Sequence, residues 1–176
     1  MNSIVQEYCS AKSCIKQIPA GFNIVDKYFG WRPGTVNFDI GGGKYDLMTE
    51  KLKERGVTNL VYDPYNRSQI HNMVVTKMIL FRIIFNNGVD TVTIFNVLNV
   101  IKEKKNQLKA IRMAYNALKI GGMLFVRSTY MNPAKVSGVT KSGTFQHYLT
   151  QTDYLGLVQK IFPNAMLKYG LIFATK

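Results

Sequence analysis

The chain has 176 residues, 47% of them hydrophobic and 12% aromatic, which is enough for one buried core and excludes a disordered polymer. Its 23 Lys and Arg against 10 Asp and Glu leave a net charge of +13, a balance that favours phosphate-bearing polyanions, nucleic acid first, as partner or substrate. Cys9 and Cys14 stand together with no second pair and no His cluster, so neither a disulfide framework nor a metal site is expected. No window approaches the roughly 20 apolar residues of a membrane span, and the first residues lack a signal-peptide pattern, so a cytoplasmic protein without a membrane partner is expected.

Residues 1–34 show polar and aromatic residues in no clear period and read as an N-terminal extension or lid, with 35–176 as the folded domain. Val36 to Ile40 reads as a short strand running into Gly41-Gly42-Gly43, and Tyr45, Met48 and Leu52 share a helix face that Gly56 terminates. A second strand, Asn59 to Tyr62, ends in Asp63-Pro64-Tyr65-Asn66. After Ser68 a broadly apolar stretch predicts a helix ended by Asn86-Asn87-Gly88, although Phe81 to Phe85 also suits a strand. Thr91 to Val97 is β-branched and apolar on both faces, as a central parallel strand should be. Leu108, Ile111, Tyr115 and Leu118 mark an amphipathic helix stopped by Gly121-Gly122, before a strand from Met123 to Val126. A polar loop from Ser128 to about Phe145, a helix around Asp153 to Phe162 and a strand or hairpin from Met166 to Thr175 complete the pattern. Such alternation predicts an α/β, Rossmann-like, doubly wound and mostly parallel sheet flanked by helices, with an antiparallel C-terminal strand.

In such a sheet ligands bind beyond the carboxyl ends of the strands, where glycines bring backbone close to a cofactor. Asp39-Ile40-Gly41-Gly42-Gly43 sits at such a point, but the third glycine of a dinucleotide fingerprint would fall at Asp46, whose charge repels a pyrophosphate. Asp63, 20 residues beyond Gly43, closes the second strand where a carboxylate reaches ribose hydroxyls. The pair favours a nucleoside cofactor without phosphates, S-adenosylmethionine. Asp63-Pro64-Tyr65 also resembles the Asp-Pro-Pro-Tyr motif of amino-methyltransferases, yet it follows the second strand rather than the central one, so position argues against that role.

FDIGGGKYD, VYDPYN, TVTIFNVLNVIKE and LKIGGMLFVRS, in this order, resemble the successive motifs of class I S-adenosylmethionine-dependent methyltransferases over about Val36 to Lys176. More narrowly, YDPYN, NVLNVI and TKSGTFQ are similar to small bacterial and phage members such as the DNA phosphorothioation-associated methyltransferases. The resemblance implies that Asp39, Gly41 and Gly43 line the methionine part of the cofactor, that Asp63 holds the ribose, that Pro64 and Tyr65 flank the adenine, and that Asn96 faces the cofactor. Only about 27 residues separate Asp63 from Thr91, so the third strand usual in that family is expected to be shortened.

Methyl transfer from a sulfonium is mainly a matter of positioning an in-line nucleophile. Asn96 and Asn99 stand where the active-site motif begins and are the candidate catalytic residues; a strand-end cap is the alternative for each. No cysteine lies there for carbon methylation of cytosine. Lys141, Phe145, Gln146 and His147, in a loop rich in donors, are candidate substrate-binding residues that could grip a phosphate or stack a base, or the loop is merely solvated. Lys102, Lys104, Lys105, Lys109, Arg112 and Lys119 form either a solvated helix face or a phosphate-tracking surface. The expectation is a methyltransferase of nucleic acid, DNA favoured; the alternatives are a small-molecule or protein substrate, or a non-catalytic cofactor-binding module.

Overall fold

The computed structural model describes residues 6–128 and 135–176; residues 1–5 and 129–134, the latter part of the expected polar loop, lie outside the described residues. The first strand, β1 (Val36–Ile40), is buried at all five positions, as a parallel strand covered on both faces must be. It leads through the glycine turn to α2 (Leu47–Glu54), preceded in the chain by α1 (Ala20–Tyr28), and on to β2 (Thr58–Tyr62). From there α3 (Gln69–Asn86) returns across β1 to β3 (Val89–Phe95), and α4 (Lys104–Ala117) leads to β4 (Leu118–Arg127). A two-stranded piece, β5 (Gly138–Val139) with β6 (Phe145–Gln146), precedes α5 (Gln151–Val158) and the hairpin β7 (Met166–Lys168) with β8 (Leu171–Thr175).

The main sheet runs β2-β1-β3-β4-β8-β7. Its first four strands are parallel, and β8 lies antiparallel to β4 and β7 antiparallel to β8. The chain moves outward from β1 to β2 and then jumps back to β3. The order of strand addition therefore reverses between the parallel strands β1 and β3, and a crevice opens at their carboxyl ends. The expected class, a doubly wound sheet with an antiparallel C-terminal strand, is the observed one. β2 is an edge strand, with α3 following it directly and no strand beyond it among the described residues.

Two apolar layers clasp the sheet. Phe38, Ile40, Leu60, Val92, Ile94 and Leu124 pack with Val75, Ile79, Ile111 and Leu157 from α3, α4 and α5. On the other face Phe95 and Phe125 meet Phe22, Val25 and Trp31 from α1 and its exit, and Met48 and Leu52 from α2. The Phe22 and Trp31 rings stack at 5.7 Å.

Two expectations change, and one alternative is resolved in favour of the helix. No regular element was foreseen before residue 35, yet α1 is helical and supplies part of the core; with only nine residues and Pro19 at its N-cap, it offers too few turns to show a period. Gly121-Gly122 do not stop α4, which ends at Ala117. They lie inside β4, where Val89 pairs with Leu118 and Thr91 with Met123; the glycines serve a bulge that absorbs the extra residues. Phe81 to Phe85 are helical, because Ser68 Oγ caps α3 by accepting from His71 N at 3.2 Å and Asn87, at φ 59°, closes it.

Gly88 joins α3 to β3 at φ +119°, where a Cβ would lie 2.5 Å from the Ala117 carbonyl oxygen and 2.6 Å from the Lys119 nitrogen. Backbone on both sides cannot yield. Gly88→Ala is expected to lower stability by about 2–4 kcal/mol, read as a shifted urea midpoint with an unchanged slope.

Candidate functional site

Beneath the crevice a row of polar side chains crosses β2, β1 and β3. Thr91 Oγ1 donates to Asn37 Oδ1 at 2.8 Å, and Asn37 Nδ2 donates to Asn59 Oδ1 at 2.8 Å and to Thr93 Oγ1 at 3.0 Å. Thr93 Oγ1 in turn donates to Asp39 Oδ1 at 2.8 Å. Register places Asp39 between Val61 of β2 and Thr93 of β3, so the row ends on a carboxylate under the glycine turn. Asp39 is 3% exposed. Burial pushes its carboxyl up to about 6, against the opposing pull of hydrogen bonds from Thr93 and Asn59.

Above it the glycine turn is clamped at one residue. Gly43 N donates to Asp63 Oδ2 at 2.9 Å, and the Gly43 carbonyl accepts from Arg67 Nε at 2.6 Å. Arg67 also pairs with Asp46 at 2.7 Å, which uses the acid that the sequence shows in place of a third fingerprint glycine. Gly43 has φ +73°, and a Cβ there would lie 2.7 Å from Cys14 Sγ, so both conformation and space require glycine. Asp63, 5% exposed, accepts four bonds: Gly43 N and Asn66 Nδ2 on Oδ2, and Tyr65 N and Asn66 N on Oδ1. Asn72 of α3 fixes its backbone, accepting from Asp63 N and donating to Asp63 O, each at 2.9 Å.

The N-terminal segment lies across this turn. Gln6 N donates to Tyr65 Oη at 3.0 Å, Lys44 N donates to Cys14 Sγ at 3.4 Å, and Glu7 N donates to Glu103 Oε1 at 3.1 Å. Between this segment and the strand ends lies a cleft with about 1070 Å³ of open space, part of it continuous with solvent. Asp39, Gly41, Gly43, Asp63, Pro64, Tyr65 and Asn96 all line it. So do Gln6, Cys14 and Gln17, which the sequence did not point to, because an irregular segment carries no periodicity to read. Among the described lining residues there are two carboxylates, Asp39 and Asp63, and no Lys, Arg or His.

Asn96 alone of the catalytic candidates is in the cleft wall, whereas Asn99 and the candidates of loop 140–147 sit beside it. Asn96 is exposed just past β3 in the left-handed region, φ 58°, and its N–H donates to the Arg127 carbonyl at 2.7 Å. Asn99 is buried, with Nδ2 3.3 Å from Gln146 Oε1, its carbonyl accepting from His147 N, and Oδ1 without a partner among the described residues. Phe145 is buried against Tyr8 at 5.9 Å and the His147 ring at 4.7 Å. His147 Nε2 lies 3.2 Å from the Lys102 carbonyl, and Lys141 is exposed. Loop 140–147 therefore docks on the Asn99 turn and on Tyr8, and none of its residues lines the cleft. His71 Nε2 lies 2.9 Å from the Val61 carbonyl, away from the cleft wall.

The basic run does not lie on one helix. Lys102 precedes α4 and pairs with Glu7 at 2.7 Å, and Lys119 lies in β4, paired with Asp90. Because α4 starts beyond the carboxyl end of β3, Lys104 and Lys105 stand at the ligand edge of the sheet, and Lys119 at the opposite edge.

A carboxyl raised by burial opposes folding once it must ionise. Asp39 in the unfolded chain loses its proton near pH 4 and in the fold near 6. The fold thus holds the extra proton between these values, so stability falls as pH rises from about 4 to 6 and then levels off. Asp39→Asn is expected to remove this slope and to be more stable than the parent at pH 7.5, by on the order of 2 kcal/mol. Urea unfolding from pH 4 to 8 measures it; a variant less stable at pH 7.5 refutes the assignment.

No protein-family model matches the chain, and no curated protein sequence does. Solved structures do match. The 1,6-didemethyltoxoflavin-N1-methyltransferase of Burkholderia thailandensis, bound to S-adenosylhomocysteine, superposes with TM-score 0.61 at 12% identity over 89% of this chain and 76% of its own. The CcbJ methyltransferase of Streptomyces caelestis gives 0.57 at 11% identity, over 96% of this chain and 94% of its own. The T. thermophilus 16S rRNA N2 G1207 methyltransferase RsmC, with AdoMet and guanosine, gives 0.54 at 16% identity, over 93% of this chain but 44% of its own. What the chain shares with these methyltransferases is their fold, a Rossmann-like sheet with an antiparallel C-terminal strand.

Proposed function

We propose that the chain is an S-adenosylmethionine-dependent methyltransferase acting on nucleic acid, with DNA the favoured substrate. The observation that carries this reading is the sign of the cleft. In a chain of net charge +13, the wall at the strand reversal holds Asp39 and Asp63 and no described cation. A sulfonium and an α-ammonium group are attracted by that field, whereas a pyrophosphate is repelled. When bound, S-adenosylmethionine supplies an electrophilic methyl group whose sulfur departs as a neutral thioether.

The chain's own residues would then position. Asp39 and the backbone of Gly41 and Gly43 would hold the methionine part, and Asp63, Pro64 and Tyr65 the nucleoside. The four lone-pair positions of Asp63 are already filled, so a ribose hydroxyl would take the place of the Asn66 side-chain amide, the donor free to swing. Asn96 would orient the target atom toward the methyl group, and Asn99, buried behind it, would be a positioning residue that holds loop 140–147. Residues 6–19 would act as a lid that excludes water.

Nucleic acid as substrate is supported by the contrast between acidic cleft and basic exterior. Lys104 and Lys105 stand at the ligand edge. So does the β7–β8 turn, where Tyr169 stacks on Tyr28 at 3.8 Å with Lys168 and Lys27 over the rings. That the fold also occurs in a ribosomal-RNA methyltransferase agrees with this. The narrower kinship with phage and phosphorothioation-associated enzymes of the cytoplasm rests on YDPYN, NVLNVI and TKSGTFQ. A small-molecule substrate is the second reading, favoured by the didemethyltoxoflavin enzyme among the neighbours.

Titration calorimetry with S-adenosylmethionine is expected to show binding that Asp63→Ala weakens at least tenfold, about 1.4 kcal/mol. No binding, or undiminished binding by the variant, rejects the cofactor site. Labelled methyl transfer to DNA, RNA and a low-molecular-weight extract then separates the substrates. Asn96→Ala should lower kcat about 100-fold with little change in the KM for the cofactor.

A further inference from the structure

An 18-residue helix, α3, has no continuous polar face, its polar side chains being scattered around it, yet the fold covers only one side. Asn72, Val75 and Ile79 face the sheet and are buried. On the opposite side Ile70 is 71% exposed, Ile84 69% and Phe85 67%, and Val74, Met78 and Phe81 continue the stripe. These positions recur at spacings of three and four, so they form one contiguous face. A helix without a polar face belongs in an interior. Those six side chains leave on the order of 700 Å² open, above the largest apolar patch of a typical monomer and close to the roughly 800 Å² that each partner contributes to a stable interface. The surface continues into a groove between α3 and β2, lined by Thr58, Leu60, Met78 and Phe81 and bordered by Lys77 and Arg82, beside the open edge of the sheet.

We infer that this face binds a second copy of the chain, α3 against α3 in antiparallel array about a two-fold axis near Lys77 and Met78. Three observations select this occupant. The open area is close to the roughly 800 Å² that one half of a standard dimer contributes. The face is poor in charge: Gln69–Asn86 carries only Lys77 and Arg82 in a chain with 23 basic residues, whereas a nucleic acid or an anionic bilayer calls for cations along its contact. Finally the face complements itself. Its first half is aliphatic, Ile70 and Val74, and its second half carries the Phe81 and Phe85 rings, 4.6 Å apart. Antiparallel pairing lays each ring pair on the other copy's aliphatic half, and such an isologous contact closes at two. None of these side chains lines the acidic cleft, so the contact leaves both clefts open and does not depend on what they bind.

Sedimentation equilibrium of the full chain from about 1 to 100 μM tests this. A 20.0 kDa protomer is expected to pass into a dimer, and raising NaCl from about 0.05 to 0.5 M should strengthen association severalfold, since screening relieves repulsion between two strongly basic protomers. Phe81→Glu and, separately, Ile70→Glu should weaken association at least 100-fold while the circular dichroism and thermal midpoint of the monomer persist; either variant suffices if the other fails to fold. A parent chain monomeric at 100 μM overturns the proposal, as does a dimer that both charged variants retain. So does a monomer that co-sediments with phosphatidylserine vesicles through these residues, which would assign the face to a lipid surface.

Discussion

One buried carboxylate organises the ligand edge of this molecule. Asp39 lies between β2 and β3 at the end of an oriented row of hydrogen bonds, from Thr91 through Asn37 and Thr93. Little of it meets solvent, and the row satisfies only part of its need, so its carboxyl is raised by burial. An apolar residue at this position would pack without that penalty. A charge kept there at the expense of stability marks the point where the fold gives way to the requirements of a ligand.

A second carboxylate takes the opposite role. Asp63 has its acceptors filled and, with Arg67, grips the two peptide groups that flank the Gly43 Cα. The turn is thereby held in one shape, with Asn72 tying it to α3. Rigid backbone carries the cleft on that side, while the opposing wall is an irregular segment held by a few long-range bonds to Tyr65, Lys44 and Glu103. One wall is preorganised and the other is held by few bonds, an arrangement that suits the lid role proposed for residues 6–19.

The same helix that anchors Asp63 carries the largest apolar surface left open. With no strand beyond β2 among the described residues, α3 packs one side on the sheet and presents the other outward. The shortened spacing between Asp63 and Thr91 thus has a structural consequence at the edge of the sheet. Pairing of α3 with its counterpart would brace the helix and, through Asn72, the clamp on Gly43, although the dimer face and the cleft share no side chain.

The order of strands and helices, the glycine turn, and Asp63 at the end of β2 were legible in the amino-acid sequence, because period, glycine and strand-end position are local properties. Asp39, Gly41, Gly43 and Asp63 could be picked out for the same reason, Pro64, Tyr65 and Asn96 through the family resemblance, and all seven share one cleft. The role of Asp46 as a partner of Arg67, the bulge at Gly121 and Gly122, the helix before residue 35 and the N-terminal wall of the cleft were not legible. Each depends on groups brought together from distant parts of the chain. Asn99, Phe145 and His147 share that limit: sequence placed them near the active end of the sheet, and only packing turned them inward against one another. Sequence determined that an acidic, glycine-lined turn closes β1. Tertiary structure decided which acid is buried, which is spent on the backbone and which face of α3 is left without a partner, because burial and hydrogen-bond partners are properties of the assembled sheet.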